Sequence, residues 1–188
     1  VIPCDVDFLN MKSVKIKDKE FELFIESEII EKNISRVADQ INTDLKGKNP
    51  LFLVVLNGAF MFAAELMKKV SIPCEITFIR LASYQGTSST ESVREILGLT
   101  ESIENRTVVI VEDIIDSGNT LTALIEELKK HHPCEIKIAS LLLKPGTLKY
   151  DLQPDYVAME VPSDFLVGYG LDYDGYGRNL VDIYKLKD

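Results

Sequence analysis

Uninterrupted apolar runs alternate along the chain with stretches of helical spacing. Runs of this kind are typical of strands that are covered on both faces, as in a parallel sheet. The predicted strands are Phe21–Ile25, Leu51–Leu56, Cys74–Arg80, Val108–Val111, Glu135–Lys144 and Tyr156–Val161. The pattern predicts an α/β fold with a central, mostly parallel sheet flanked by helices.

Helical periodicity follows three of these strands. The first predicted helix has Ser27 as its N-cap and ends at Gly47. A short loop, Asn57-Gly58, opens a second, broadly apolar helix that runs to about Lys69. The third helix lies behind Thr120, where apolar residues keep the spacing of one helical face: Leu121, Leu124, Ile125 and Leu128.

The loop between Val111 and the third helix has the densest chemistry in the chain. Its polar residues are Glu112, Asp113, Asp116, Ser117, Asn119 and Thr120, with Gly118 among them. A helix N-terminus attracts anions, and the glycine and hydroxyls predict a phosphate cradle over Ser117–Thr120. The lysine pattern of a P-loop is absent.

The carboxylates of this loop suggest separate roles. Glu112 and Asp113 are suited to bind the vicinal hydroxyls of a sugar or Mg²⁺. Asp116 stands beside the cradle, where a general base facing a reacting sugar carbon could lie. The simpler interpretation is an acidic loop with an ordinary Ser or Asn helix cap.

The stretch from Val108 to Leu121, VVIVEDIIDSGNTL, resembles the 5-phosphoribosyl 1-pyrophosphate (PRPP) binding motif of type I phosphoribosyltransferases. Its Glu-Asp-Ile-Ile-Asp form is most similar to the hypoxanthine-guanine branch. The resemblance extends from about Phe21 to Tyr184. It implies a Mg²⁺-dependent transferase of purine salvage, which converts PRPP and hypoxanthine or guanine to IMP or GMP and pyrophosphate.

By the same resemblance, Asn57 and Gly58 match a loop that contacts pyrophosphate through its backbone, and Arg178 matches a pyrophosphate clamp. Many relatives carry Lys or Arg where this chain has Asn57. Ser83 and Tyr84 match the start of a mobile loop that closes over the reacting centre. The polar, non-periodic segment from Ser83 to Glu95 is therefore interpreted as a lid.

The base site also comes from the resemblance. Lys144, at the carboxyl end of its strand, matches the residue that contacts the purine. The Gly-, Tyr- and Asp-rich tail resembles a small C-terminal hood, in which Phe165 stacks on the base and Leu166 offers a backbone carbonyl. Asp172 matches the residue at the purine edge and at Mg²⁺, so that the predicted metal ligands are Asp172, Glu112 and Asp113.

Length and composition support one domain over residues 1–188, with a core at about 21–161 and a hood mainly from 163–188, to which N-terminal residues could contribute. Residues 1–20 receive no role. Three scattered cysteines predict reduced thiols in a cytoplasmic protein, and no apolar run is long enough to span a membrane. The N-terminal segment lacks the features of a signal peptide.

The net charge of −9 disfavours nucleic acid as a partner. The expected partners are PRPP, a 6-oxopurine base and further copies of the chain, in a dimer or tetramer. The alternatives are a transferase for xanthine or a pyrimidine, and a non-enzymatic regulator of the same fold that senses nucleotides and binds RNA. A receiver domain is disfavoured because the first clear strands end without an acidic pair.

Overall fold

The structure, a computed structural model, describes residues 12–83, 93–97, 99–150 and 152–187. Its helices are α1 (Ser27–Asp44), α2 (Phe60–Lys69) and α3 (Asn119–Lys129), with a 3₁₀ turn at Pro145–Thr147. Its strands are β1 (Ser13–Ile16), β2 (Lys19–Ile25), β3 (Leu51–Leu56), β4 (Glu75–Ser83), β5 (Val93–Leu97), β6 (Thr107–Ile115), β7 (Glu135–Leu143), β8 (Tyr156–Glu160), β9 (Leu166–Val167) and β10 (Ile183–Leu186).

The central sheet has the strand order β5-β4-β3-β6-β7-β8, and all its pairings are parallel except that of β4 with β5. This confirms the predicted α/β class. The chain leaves β3 through α2 toward β4 on one side, and leaves β6 through α3 toward β7 on the other. The order therefore reverses between β3 and β6, where the carboxyl ends of the strands open a crevice.

Alternation along β6 shows how the sheet is covered on both faces. Val109 and Val111 pack in the cluster that contains α1 and α2, whereas Val108 and Ile110 pack in the cluster that contains α3. All four side chains are almost fully buried, which accounts for the apolar run that predicted the strand. In the described ranges, none of the helices combines the length and apolarity needed to cross a membrane.

A second, antiparallel sheet joins the two ends of the described chain in the order β1-β2-β10-β9. Phe21 of β2 and Tyr184 of β10 are both buried in the small core beneath it. Residues before the first helix therefore pair with the C-terminal strands, and this pairing places the tail against the main sheet.

Two strand boundaries differ from the predictions. Strand β6 continues to Ile115, so that Glu112 and Asp113 lie within the strand and not in the loop. The polar segment predicted to be a loop as far as Glu95 becomes strand at Val93, which pairs with Ser83. Pairing with a neighbouring strand can form a strand from polar residues, because the ladder uses backbone groups.

The predicted cap of the first helix is wrong, and the third helix lacks the Ser or Asn cap of the simpler interpretation. The N-cap of α1 is Glu26, not Ser27, and the N-cap of α3 is Gly118, in the left-handed region at φ 79°. The N-cap of α1 forms no side-chain hydrogen bond. Asp182 from the tail takes that role, because its buried Oδ1 accepts from the Ser27 N–H at 2.7 Å.

We expect Asp182→Ala to lower the free energy of unfolding by about 2 kcal/mol, since the Ser27 N–H would lose a charged acceptor in a buried setting. Asp182→Asn keeps an acceptor and should lose less. Urea unfolding of both variants measures the effect. Glu28→Ala, which removes an exposed acid from the same helical turn, is the control; equal losses for Asp182→Ala and Glu28→Ala would contradict the assigned contact.

Candidate active site

The carboxyl ends of β3, β6 and β7 carry the polar residues that the sequence singles out. These strands are neighbours in the sheet. Asn57 follows β3, Asp116 follows β6 and Lys144 follows β7. The strand order thus brings the predicted pyrophosphate loop, acidic motif and base-contacting lysine to one edge.

A close contact joins the loop after β3 to the acidic motif of β6. A Cβ atom built on Gly58 would lie 1.5 Å from Asp113 Oδ2, so that only glycine leaves room for this carboxylate. The neighbouring Asn57 is exposed, and the peptide bond between Leu56 and Asn57 is cis. Gly58 therefore lets the predicted pyrophosphate loop pack directly against Asp113.

The pKa of Asp113 is raised overall, although opposing effects act on it. Burial raises its pKa above the ordinary value, and the negative charge of Asp172 acts in the same direction. The N–H of Ile114, which donates to Oδ1 at 2.8 Å, and the positive charge of Arg178 act to lower it. These interactions put the tail residues Asp172 and Arg178 in the electrostatic environment of the β6 carboxylate.

Glu112 is more buried than its neighbour, with 9% of its surface exposed. Burial, and then the charge of Asp113, raise its pKa well above the usual value for a glutamate. Two adjacent acidic groups in a desolvated strand end each disfavour the charged form of the other. A ligand that supplies positive charge or hydrogen-bond donors would relieve that cost.

The tail forms an ordered loop over this edge. Arg178 Nη2 pairs with Asp172 Oδ1 at 2.6 Å, and its Nη1 donates to the carbonyl of Gly170 at 2.6 Å. The N–H of Gly175 donates to Asp172 Oδ2 at 2.6 Å. A Cβ on Gly170 would lie 2.1 Å from the Gly58 carbonyl, so the tail contacts the loop after β3. Sequence reasoning did not single out Gly170, because the need for a glycine there arises only from its packing against the Gly58 carbonyl.

The four residues predicted to form a phosphate cradle lie at the start of α3. Ser117 and Asn119 are partly exposed, Thr120 is exposed and Gly118 is buried as the N-cap. The N–H of Asn119 faces Ser117 Oγ at 3.4 Å, a long contact. The arrangement presents hydroxyls and backbone amides at a helix N-terminus, which is the chemistry that an anion requires.

The loop that follows β7 lies along this cradle. The Lys149 N–H donates to the Ser117 carbonyl at 3.1 Å. A Cβ on Gly118 would lie 3.6 to 3.8 Å from side-chain atoms of Leu148, Tyr150 and Leu152. The cradle is therefore supported from the side on which the base-contacting lysine lies.

Lys144 and Asp116 form an ion pair, with 3.0 Å between Nζ and Oδ2. The Lys144 residue is buried at 7% exposure, whereas Asp116 is exposed. The pKa of Asp116 is lowered, first by a hydrogen bond from the Thr147 hydroxyl and then by the bond and charge of Lys144, against an opposing effect of burial. Sequence reasoning did not identify Thr147.

Two of the tail residues predicted to contact the base, Phe165 and Leu166, differ in exposure. Phe165 is 45% exposed, and its ring lies edge-on to Tyr173 at 5.9 Å between centroids. Lys19 Nζ lies 5.7 Å from the Phe165 ring centroid. The Leu166 side chain is buried in the main core, which leaves its backbone as the part available to a ligand.

The predicted lid lies largely outside the described residues. Ser83 is the last residue of β4, whereas Tyr84 falls outside them. The lid stays a prediction.

The acidic groups fit a Mg²⁺ ion that also binds substrate. Asp113 and Asp172 are close enough for their charges to interact, and Mg²⁺ is usually held by one or two carboxylates together with phosphates and water. Within the described ranges, no group of three or more His, Cys, Asp or Glu side chains is arranged to hold a metal ion. A cation here would therefore depend on oxygen ligands from the substrate.

Comparison with known proteins gives consistent matches over most of the chain. The family described as phosphoribosyl transferase domain matches residues 25–174. The hypoxanthine-guanine phosphoribosyltransferase of Streptococcus thermophilus strain CNRZ 1066 is 40% identical over 173 residues, which cover 92% of this chain and 96% of that protein. The protein of the same name from Lactococcus lactis strain IL1403 is also 40% identical over 173 residues, covering 90% and 93%.

Solved structures match the fold at similar coverage. A crystal structure of a hypoxanthine phosphoribosyltransferase from Staphylococcus aureus has a TM-score of 0.80 and 36% identity, and the match covers 88% of this chain and 91% of that one. The hypoxanthine phosphoribosyl transferase of Trypanosoma cruzi has a TM-score of 0.81 and 32% identity, covering 93% and 95%.

We expect Gly58→Ala to lose most activity, because its new methyl group would displace the Asp113 carboxylate. Gly146→Ala is the matched control, since a Cβ at that position meets nothing within 4 Å. Transferase assays together with thermal unfolding separate the local effect from loss of the fold. Equal activity of the two variants would contradict the close contact.

We expect Glu112→Gln to stabilise the protein, and more at pH 8 than at pH 4. Because the folded-state pKa of Glu112 is raised, the unfolded chain loses this proton first as pH rises past its usual value. Stability therefore falls until the pH exceeds the folded-state pKa, and glutamine removes that fall. Thermal unfolding across this pH range in a chelating buffer measures it; a difference from wild type that does not change with pH would count against the burial of a protonated carboxyl.

Proposed function

The chain belongs to the phosphoribosyl transferase family and is a transferase of purine salvage, and from this premise we propose that it joins hypoxanthine or guanine to PRPP. The products are IMP or GMP and pyrophosphate. The observation that carries the proposal is the pair of Lys144 and Asp116, beside the N-terminus of α3. A cation that can only donate and a carboxylate that can only accept stand together there.

The substrate groups of PRPP are assigned to three parts of the edge. The 5′-phosphate binds the cradle Ser117–Thr120, where amides and hydroxyls donate to its oxygens. Glu112 and Asp113 accept from the ribose hydroxyls. Pyrophosphate lies between the backbone of Asn57 and Gly58 and the guanidinium of Arg178, whose present bonds to Asp172 and the Gly170 carbonyl keep it on that side.

Base recognition is assigned to Lys144 and to the tail. The Lys144 ammonium donates to the 6-oxo group, an acceptor that adenine lacks. The amino group of adenine would instead place a donor against the buried ammonium. Phe165 stacks on the base, and its exposed ring supports this assignment. Asp172 and the carbonyl of Leu166 face the purine 2-position, where they accept from the amino group of guanine and disfavour the 2-oxo group of xanthine.

In the reaction step, a purine ring nitrogen forms a bond to the sugar carbon while the bond from that carbon to the pyrophosphate oxygen breaks. The electron pair of the broken bond leaves with pyrophosphate. Asp116 accepts the proton that the ring nitrogen gives up. Mg²⁺ held by Asp172 and Asp113, with Glu112 nearby, would neutralise charge on the leaving group.

We further propose that the protein acts in the cytoplasm as a homo-oligomer, a dimer or a tetramer. The unpaired, free cysteines Cys74 and Cys134 support a reducing compartment. Ile76 and Phe78 share one face of β4 and are 40% and 46% exposed, and such apolar exposure supports contact with a second copy.

The test is to incubate the protein with PRPP, Mg²⁺ and each of hypoxanthine, guanine, xanthine, adenine and uracil, and to identify the products. We expect hypoxanthine and guanine to react, xanthine to react poorly and adenine to be rejected by roughly ten-thousand-fold. Lys144→Ala should slow hypoxanthine and weaken the rejection of adenine.

Lys137→Ala is the matched control, because it removes another lysine ion pair, with Asp155 at 2.7 Å, from β7, the strand that Lys144 follows. It should leave base choice unchanged. A wild-type protein that used adenine as well as hypoxanthine would overturn the role of Lys144, and a clear preference for xanthine would overturn that of Asp172.

A further inference from the structure

The Asp116 carboxylate has two side-chain donors within reach. One is the ammonium of Lys144, at 3.0 Å. The other is the hydroxyl of Thr147, which lies 3.0 Å from the Lys144 carbonyl. Its hydrogen bond to the carboxylate is also the first cause of the lowered pKa of Asp116. A threonine hydroxyl has a single proton, so that it can donate to the carbonyl or to the carboxylate at any one time.

The position of Thr147 is set by the turn that carries Lys144. Pro145–Thr147 forms the 3₁₀ turn directly after Lys144, and the Thr147 N–H donates to the Lys144 carbonyl at 3.2 Å. Lys144 is held to β6 in turn, because its N–H donates to the Ile115 carbonyl at 2.9 Å. The hydroxyl is therefore tied through backbone bonds to the strand end that precedes Asp116.

The proposed reaction requires Lys144 to change partners. When the Lys144 ammonium donates to the 6-oxo group, it moves toward the purine and its contact with Asp116 weakens. Asp116 is exposed, and an exposed side chain that loses its partner gains rotational freedom. A general base acts well only within about 2.6 to 3.2 Å of the proton that it takes.

We propose that Thr147 is a positioning residue for the transfer reaction. Its hydroxyl holds the Asp116 carboxylate in place when the purine draws the Lys144 ammonium away. This inference rests on the function proposed above for Asp116 and Lys144. The Thr147 hydroxyl then donates its hydrogen bond to Asp116 and not to the Lys144 carbonyl, so that the carboxylate keeps a donor throughout the exchange.

The test compares Thr147→Val, which keeps the shape and loses the hydroxyl, with Thr147→Ser, which keeps the hydroxyl. We expect Thr147→Val to lower kcat by about tenfold, the effect of one hydrogen bond to a charged group, with KM for PRPP nearly unchanged. The acidic limb of the pH profile should move to higher pH, because the donors that lower the pKa of Asp116 would be reduced to Lys144. Thr147→Ser should restore both quantities.

Thr43→Val is the control for losing a hydroxyl bond to a backbone carbonyl, since Thr43 Oγ1 donates to the Asp39 carbonyl at 2.9 Å on the exposed side of α1. It should leave kcat and the pH profile at wild-type values. Thermal unfolding accompanies each assay, and Thr147→Ala carries the same test if the valine variant does not fold.

The outcomes separate this inference from the proposed function. A wild-type protein that joins no purine to PRPP overturns the function and the inference together. An active wild type with an unaffected Thr147→Val variant overturns the inference alone. A lowered kcat with an unmoved acidic limb shows that Thr147 only supports the turn, and failure of the serine variant to restore activity has the same meaning.

Discussion

The pairing of β6 between β3 and β7 is the constraint on which the rest of the site depends. Parallel strands end at one edge of a sheet, and here three neighbouring ends bring together residues that lie far apart in sequence. Because the connections after β3 and β6 leave toward opposite sides, the edge opens at this point and is not covered by a helix. The loop after β3, the acidic motif and the lysine after β7 share that opening.

The same edge gathers groups that disfavour folding. Glu112 is buried and the adjacent Asp113 is partly buried, and burial raises the pKa of both carboxyl groups. A protein selected for stability alone would place apolar residues there, like those at Val108–Val111 earlier in the same strand. Active sites commonly retain such groups, because charged or polar ligands complete their interactions.

The tail is attached to the main sheet by contacts that leave little freedom. Asp182 caps α1, its carbonyl lies 2.1 Å from where a Cβ of Gly168 would be, and Gly170 meets the Gly58 carbonyl in the same way. These contacts bracket the segment that presents Asp172 and Arg178. The proposed base site and the proposed pyrophosphate loop are therefore parts of one packed unit.

The sequence by itself determined the class of fold and the acidic motif. Apolar runs such as Val108–Val111 and helical spacing after Thr120 are local signals, and local burial produced them. The resemblance of the motif located the candidate site before any contact was known. Strand ends were less predictable: β6 extends through Glu112 and Asp113 because β7 pairs with it, and no local property of two acids indicates that.

Only the tertiary structure decided which side chains meet. The Gly58 contact with Asp113, the Lys144 pair with Asp116 and the cap from Asp182 each join residues separated by 28 positions or more. Such contacts depend on strand order and on the path of the tail, which single residues do not encode. The roles of Thr147 and Gly170 are visible only in the packed structure. A hydroxyl or a missing Cβ has an effect only beside the particular atoms that packing brings to it.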